Sequence, residues 1–249
     1  MIILKSDREI EFLRKPNQLV AEFHRTIAPM MKPGVSTWDI ELFAKDFAKK
    51  HHAATSLVGY RNYPYITCAS VNDVIAHGFP SKKPLRSGDL VTIDTVFDIR
   101  GWKGDSAWTY KIGKVSKTSE ELYKVTKEAL YKGIEQAIIG NRLGDIGHAI
   151  QVHAESHSFS VVRDLVGHGI GQDIHEEPFY LHIGPPGKGH RLKEGMVFTI
   201  EPMINAGSHE MYIEEDGWTA RTKDSELSVQ FEHTIAITKN GPIILTEQD

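Results

Sequence analysis

Apolar residues recur along much of the 249-residue chain at the three- and four-residue spacing of amphipathic helices, and four such segments predict four helices. The first follows Ser6 and Glu9, a capping-box pattern in which each side chain satisfies a backbone N–H at the helix start. Pro16 lies inside this helix, and because proline lacks a backbone N–H we expect it to kink or split the helix. The other three helices are expected to begin after Ser36-Thr37, at Thr118-Ser119 and near Asp145.

Three segments rich in β-branched and aromatic residues predict strands, and each contains or precedes an acidic residue. They are Leu90–Phe97, Met196–Ile200 and Val229–Thr238. Because alternate residues of a strand point to opposite sides, Asp94, Glu201 and Glu232 share a face with threonines while apolar residues fill the other face. We therefore expect helices to cover the apolar face and the three acids to converge on a cleft. His233 points away from the acids and is interpreted as structural.

A weak internal repeat divides the chain into two similar parts. The pattern Gly-x4-Asp-Ile at Gly34 recurs at Gly140, 106 residues later, and each copy opens a predicted helix. The strand ending at Asp94 resembles the strand ending at Glu201, 107 residues later. Chance similarity is the alternative, but the nearly equal offsets favour two related halves. We expect one catalytic domain over residues 1–249, with halves at about residues 6–113 and 118–238.

The charge, the cysteine count and the lack of long apolar runs argue against several classes of function and location. The formal net charge of -4, without a basic block, gives no support for a nucleic-acid substrate or an anionic membrane surface. The single cysteine, Cys68, excludes an intrachain disulfide and fits a reducing compartment. Charged residues interrupt the start of the chain, as a signal peptide would not allow, and no apolar run approaches a membrane span. These features predict a cytoplasmic enzyme.

Four carboxylates and one imidazole form the most informative set of candidate ligands. They are Asp94, Asp105, His168, Glu201 and Glu232. The turn-like Arg100-Gly101 between the two aspartates predicts a hairpin that brings their carboxylates together. An oxygen-rich set with one imidazole favours manganese, iron, cobalt or magnesium over a structural zinc cage. The charge suits two divalent cations, which would place a shared water for hydrolysis.

Besides the candidate ligand His168, His175 is a candidate for contact with a substrate, and His77 is a weaker one. His168 is flanked by glycines that allow close backbone approach, and His175 follows in the same segment. The glycine spacing there is wrong for a dinucleotide fingerprint, and His175-Glu176 lacks the second histidine of a zincin. His77 precedes Gly78 in a turn, where histidines are commonly structural. The aromatic stretch at 59–65 fits either core packing or a specificity pocket.

Taken together, these segments resemble type I methionine aminopeptidases over almost the whole chain. The matching motifs are Lys32-Pro33-Gly34, His77-Gly78-x-Pro80, Ile93-Asp94, Gly104-Asp105-Ser106, Gly167–Pro178, Gly195–Met203 and Gln230–Thr234. The resemblance implies an α+β pita-bread fold with two pseudo-symmetric halves and a curved, mainly antiparallel sheet. Its helices would lie on the outer face and its metal site on the inner face. One departure is Lys15-Pro16-Asn17, where the family usually keeps Ala-Gly in an unbroken helix.

The resemblance also implies a role for each matching residue. Asp94 would chelate one metal and His168 and Glu201 the other, while Asp105 and Glu232 would bridge them. His77 and His175 would hydrogen-bond the scissile peptide and its tetrahedral intermediate, and Glu201 would shuttle the proton of the attacking water. The pocket for methionine would consist of Tyr60, Tyr63, Cys68, Ile174 and Trp218. A monovalent cation is implied at Asn72, Val74 and Ser228.

The activity implied by the resemblance is removal of the initiator methionine from nascent proteins with a small second residue. A water that bridges two divalent ions, cobalt, manganese or iron, would attack the peptide bond. The enzyme would act as a cytoplasmic monomer near the ribosomal exit tunnel, without nucleic acid or membrane as partners. Two alternatives stay open: an Xaa-Pro aminopeptidase or dipeptidase on the same fold, and a non-catalytic pita-bread peptide-binding module.

Overall fold

The computed structural model of the chain describes residues 1–248 as four α-helices and fifteen strands, with two short 3-10 turns. The helices are α1 (Asp7–Ile27), α2 (Thr37–Lys50), α3 (Lys117–Glu135) and α4 (Leu143–Ser156). The strands of the first half are β1 (Ala54–Thr55), β2 (Thr67–Val71), β3 (Val74–Ala76), β4 (Leu90–Ile99) and β5 (Trp102–Lys111). Those of the second half are β6 (Ser160–Val161), β7 (Gly167–Gly169), β8 (Glu176–Tyr180), β9 (Val197–Ile200), β10 (Met203–Asn205), β11 (Met211–Ile213), β12 (Ala220–Thr222), β13 (Ser228–Gln230), β14 (His233–Thr238) and β15 (Gly241–Ile244).

The N-terminal caps of α1 and α2 explain where these helices begin. Ser6 and Glu9 form the predicted capping box at α1, and Ser36 and Asp39 form an equivalent one at α2. Each serine hydroxyl accepts a backbone N–H of the first turn, while each carboxylate accepts the serine N–H. The fourth helix has Asp145 in its first turn, where the carboxylate accepts the Arg142 N–H at 2.6 Å.

Helix α1 is continuous through Pro16, so the expectation that proline would split it is wrong. The buried helix face packs against β5, where a Cβ atom at Gly104 would collide with the backbone of Pro16 and Asn17. The Asn17 side-chain amide donates to Leu13 O at 2.8 Å and to Lys103 O at 3.3 Å. Tertiary packing and these hydrogen bonds therefore offset the helix hydrogen bond that is missing because proline has no backbone N–H.

All strand pairings of the described residues are antiparallel, which agrees with the predicted α+β class. The two main sheets have the orders β1-β4-β2, with β5 on β4, and β15-β14-β9-β7-β8. Two three-stranded sheets, β13-β10-β6 and β11-β12-β3, complete the fold. Arg100 and Gly101 join β4 to β5 with φ angles of 57° and 84°, which suits the predicted two-residue hairpin turn.

The predicted strand Val229–Thr238 is not continuous, and this is a second correction. It divides into β13 and β14, which belong to different sheets and are separated by Phe231 and Glu232. The Glu232 N–H donates instead to Ala107 O of β5 at 2.8 Å. The break therefore ties the second half of the chain to β5 at the position of a candidate ligand.

Two hydrophobic clusters lie under the two helix pairs. In the first half, Phe23 of α1 and Ile40 of α2 cover Phe97 of β4. In the second half, α3 and α4 pack in the same way on β9, β13 and β14, through residues such as Leu122, Ile150 and Phe198. The partly buried Trp108 packs against both clusters. The helices thus cover the apolar sheet faces and leave the faces that carry the acids for a site.

None of the described helices combines the length and the apolar character that crossing a bilayer requires.

Candidate active site

A cavity of about 240 Å³ contains the side chains that the sequence singled out. All five candidate metal ligands line it, as do His77 and His175. The five candidate residues of the methionine pocket line it as well. Residues that are up to 172 positions apart in the chain, Tyr60 and Glu232, therefore meet in one place.

Strand pairing explains how the acids reach this cavity. Val96 of β4 pairs with Asp105 of β5, so Asp94, two residues before Val96, lies diagonally across from Asp105 on the same sheet face. In the second half, Thr199 pairs with Thr234, which places Glu201 and Glu232 near the ends of adjoining strands.

Hydrogen bonds between the two halves of the chain hold Asp105 and Glu232 beside each other in the cavity. The Thr234 hydroxyl donates to Asp105 O at 2.8 Å, and the Ser106 hydroxyl donates to Glu232 O at 2.7 Å. Together with the bond from Glu232 N–H to Ala107 O, these contacts lock β5 to the segment before β14. The carboxylates of Asp105 and Glu232, which come from different halves, consequently line the same part of the cavity.

The spacing of the ligand atoms suits a divalent cation. One ligand atom each from Asp105, His168 and Glu232 lies within 4.8 Å of the other two. His168 Nε2 lies 3.8 Å from Asp105 Oδ2 and 3.5 Å from Glu201 Oε1. Because a bound cation lies about 2.0–2.2 Å from nitrogen and oxygen ligands, separations of this size are those of donors around one ion.

Contacts behind the ligands orient two of them. His168 Nδ1 lies 3.0 Å from Gly169 O, which accepts its proton and leaves the Nε2 lone pair free for the cavity. The Thr199 hydroxyl donates to Glu201 Oε1 at 2.7 Å and accepts the His168 N–H at 3.0 Å. Thr199 thus joins the backbone of His168 to the side chain of Glu201, the two residues that the family resemblance assigns to the same metal. The sequence patterns did not point to this role, although Thr199 shares the strand face of Glu201.

The electrostatics of the cavity favour a cation. Burial raises the pKa of Asp94 to about 7 and that of Glu201 to about 8. The pKa values of Asp105 and Glu232 lie well above the usual range because of burial and, in addition, repulsion from neighbouring acids. Four such carboxylates cannot all be ionised at neutral pH unless positive charge lies among them. The donor set therefore fits divalent metal ions.

The two histidines that are expected to contact a substrate have pKa values well below physiological pH and are therefore neutral there. Burial lowers the pKa of His77 to about 4 and, together with the neighbouring His168, that of His175 to about 3. Tyr60 Oη lies 2.6 Å from His175 Nδ1. When the tyrosine hydroxyl donates to Nδ1, the ring proton is on Nε2, and His175 becomes a hydrogen-bond donor. His77 has a φ of 57°, which is uncommon for a non-glycine residue. Residues with such backbone angles cluster at functional sites.

The candidate methionine pocket is mainly aromatic. Tyr63 is 1% exposed, and its hydroxyl donates toward Thr67 O at 3.0 Å and Gly78 O at 3.1 Å. The Trp218 ring packs edge-on against Tyr63 and against His77. Further lining residues did not stand out in the sequence; they include Val96, Leu165, Val166, Phe179 and Met203. Of these, Val96 had a usable signal, because it shares the strand face of Asp94 at two residues' distance.

The residues assigned to a monovalent cation lie outside this cavity. Asn72 and Val74 line a separate polar cavity behind β2 and β3. Ser228 joins them through its N–H, which donates to Asn72 O at 2.8 Å. His233, expected to be structural, is fully buried and hydrogen-bonds Thr246 at 2.9 Å.

Comparison with known proteins adds the family to this geometry. The sequence profile of metallopeptidase family M24 matches residues 11–239. The chain belongs to this family. It is 47% identical over 246 residues to methionine aminopeptidase 1 of Bacillus subtilis, and the match covers 99% of both chains.

Solved structures support the same relationship. The crystal structure of methionine aminopeptidase from Rickettsia prowazekii is 43% identical, with a TM-score of 0.97, and the match covers 99% of this chain and 100% of that one. A prolidase from Pyrococcus horikoshii is 25% identical, with a TM-score of 0.78, and this chain spans 65% of the prolidase. The predicted family and pita-bread fold are confirmed. Membership of the family also confirms a metal-dependent peptidase, and the buried acidic cluster agrees with it.

Proposed function

We propose that this chain is a methionine aminopeptidase that removes the initiator methionine from new polypeptides whose second residue is small. The observation that carries the proposal is the convergence of four buried or half-buried carboxylates and three neutral histidines beside an aromatic pocket, all on one cavity. The acids suit cations and a water, and the pocket suits an unbranched apolar side chain. Full-length similarity to methionine aminopeptidases supports the same assignment.

The proposed ligands are Asp94, Asp105, His168, Glu201 and Glu232, which would hold two divalent ions of cobalt, manganese or iron. When bound, such ions lower the pKa of a water and polarise the scissile carbonyl. The raised pKa values of the acids are consistent with this assignment, because cations would offset the repulsion that raises them. Asn72, Val74 and Ser228 remain our assignment for a monovalent cation.

The protein's own groups would move the proton and steady the carbonyl oxygen. Glu201 would take the proton of the attacking water and deliver it to the leaving amine. The neutral rings of His77 and His175 donate hydrogen bonds to the peptide and to the oxygen that gains charge. For His175, the Tyr60 hydroxyl on Nδ1 sets the required tautomer.

The methionine side chain would enter the pocket of Tyr60, Tyr63, Cys68, Ile174 and Trp218. Cys68 is buried there, and burial raises its thiol pKa, so the group acts as an apolar wall and not as a nucleophile. Since an initiator methionine exists only on newly made chains, we place the enzyme in the cytoplasm, as a monomer acting near the ribosomal exit tunnel.

The test is metal add-back with peptides that separate the rival functions. The protein is stripped with a chelator, each divalent cation is restored singly, and release of the first residue from Met-Ala-Ser, Met-Leu-Ser and Ala-Pro peptides is measured. We expect release from Met-Ala-Ser alone, and only with metal. Hydrolysis of Ala-Pro peptides instead would identify an Xaa-Pro peptidase, which the similarity to a prolidase makes the strongest rival. Metal binding without any hydrolysis would indicate a peptide-binding module.

A further inference from the structure

The loop that carries Ile174 and His175 is attached to the N-terminal segment of the chain. Lys5 Nζ donates to Glu176 Oε2 at 2.5 Å. The two side chains are 4% and 9% exposed, which makes this the most buried pair between a lysine or arginine and an acid in the described part of the chain. Glu176 directly follows His175, so the pair lies one residue from a proposed catalytic ring.

The second oxygen of Glu176 holds the loop itself. Glu176 Oε1 accepts the backbone N–H groups of Gln172 at 3.1 Å and Asp173 at 3.4 Å. One carboxylate thus joins the N-terminal segment to the loop backbone just before Ile174. Since carboxylate acceptors form stronger hydrogen bonds to backbone N–H groups than neutral acceptors do, these two bonds favour an ordered loop.

The surroundings leave the Lys5–Glu176 pair little freedom. A Cβ atom at Gly171 would collide with Glu176 Oε1 and Lys5 Nζ. The Lys5 backbone N–H donates to Gly195 O at 2.7 Å, and a Cβ at Gly195 would lie 2.5 Å from Lys5 O. Lys5 is therefore fixed at its backbone and at its ammonium group.

Two other contacts complete the attachment of the loop. Gly171 O accepts the Lys103 N–H of β5 at 2.9 Å, and Tyr60 hydrogen-bonds the His175 ring at 2.6 Å. The Lys5–Glu176 pair acts on the part of the loop between these two contacts, because Glu176 accepts the backbone N–H groups of Gln172 and Asp173. Without it, the backbone from Gln172 to Asp173 would lose both bonds to the Glu176 carboxylate, while Glu176 itself stays paired with Gly169 of β7.

We propose that Lys5 and Glu176 are positioning residues, which hold the loop so that His175 and Ile174 keep their places at the cavity. This inference rests on the proposed function, and it makes the segment before α1 part of the scaffold of the active site. A buried ion pair is often no more stabilising than apolar residues of the same size, so the presence of this pair needs a reason other than stability. Its place beside His175 supplies that reason.

The test uses the full chain loaded with manganese and four variants: Lys5→Met, Glu176→Gln, the double variant and Ile150→Ala. Ile150 of α4 is fully buried where α4 packs against α3, and it serves as a control for lost stability. For each variant, kcat and KM for Met-Ala-Ser, manganese affinity by titration, Tm, and hydrogen exchange of residues 171–176 are measured.

We expect Lys5→Met and Glu176→Gln to lower kcat by about 10–100-fold, the range for groups that orient a first layer of functional residues. Manganese affinity should stay within about twofold, because the pair contacts none of the proposed ligands. Exchange of the Gln172 and Asp173 amides should accelerate. Ile150→Ala should lower Tm while kcat and the exchange of this loop stay unchanged.

The double variant separates positioning from charge compensation. It leaves no buried charge unpaired, so Tm should recover relative to the single variants while kcat stays low. Recovery of kcat together with Tm, or unchanged exchange in residues 171–176, would overturn the inference. If the unmodified protein does not cleave Met-Ala-Ser, the proposed function fails, and the exchange data still decide whether the pair orders the loop.

Discussion

The free energy of unfolding of the metal-free protein should fall as the pH rises from about 6.5 to 8, because carboxylates in the cavity retain protons that the unfolded chain has lost. Burial raises the pKa of Glu201 from an ordinary value of 4.5 to about 8. Between these values, the folded protein binds one more proton at Glu201 than the unfolded chain. The stability linked to this group is complete below pH 4.5 and is lost as the pH rises through about 8.

The expected slope follows from one proton per group. A difference of one bound proton changes the free energy of unfolding by about 1.4 kcal/mol per pH unit, so Glu201 alone should remove roughly that amount between pH 6.5 and 7.5. Buried histidines act in the opposite direction, and their effect fades as the pH rises above about 6.5. Burial lowers the pKa of His24 to about 4 and those of His182 and His233 to about 3, so they destabilise the fold where the unfolded histidines are protonated, below about pH 6.5.

Urea unfolding of chelator-treated protein at several pH values in this window measures the slope. The matched variant is Glu201→Gln, which keeps the side-chain shape and cannot titrate; its slope should be shallower by about 1.4 kcal/mol per pH unit. Saturating manganese should remove most of the slope in the unmodified protein, since cations stabilise the ionised acids. A metal-free protein whose stability is constant or rises across the window would refute the reasoning, as would an unchanged slope in Glu201→Gln.

Three further predictions concern single side chains. Asp105→Asn should abolish turnover with loss of bound metal, measured by metal analysis after dialysis; full activity with full metal content would contradict the assigned ligands. His175→Ala should lower kcat by about 10²–10³, the cost of one lost donor to a charged oxygen, and steady-state kinetics that match the unmodified enzyme would exclude that role. Asn17→Ala should lower the free energy of unfolding by about 1–3 kcal/mol, because the buried carbonyls of Leu13 and Lys103 lose a donor. Equal urea midpoints would show that the amide does not support α1.

Local chemistry was sufficient to predict where the helices begin and the strand that carries Asp94. The capping box at Ser6 and the hairpin turn at Arg100-Gly101 are short-range patterns whose physical causes act within a few residues. Strand alternation likewise predicted that Asp94 lies on the opposite face from the apolar residues, toward the cavity. The family resemblance then supplied the ligand roles, which composition and spacing alone left open.

The parts that could not be predicted depend on contacts between distant segments. Pro16 does not split α1, because β5 packs closely on that helix face and Asn17 bonds across to it. The strand break at Glu232 arises from pairing with Ala107, 125 residues earlier in the chain. The pairing of Lys5 with Glu176 spans 171 residues and has no local pattern. Such contacts are set by tertiary packing, which overrides local propensity.

Anomalous diffraction at the manganese edge, from crystals grown with excess manganese, tests the central claim most directly. We predict two peaks in the cavity, about 3.5–4 Å apart, as in two-metal hydrolytic sites. Oxygens of Asp105 and Glu232 should lie between the two peaks, and His168 Nε2 should contact one of them. A cavity without a peak, or carboxylates that point away from the peaks, would contradict the account.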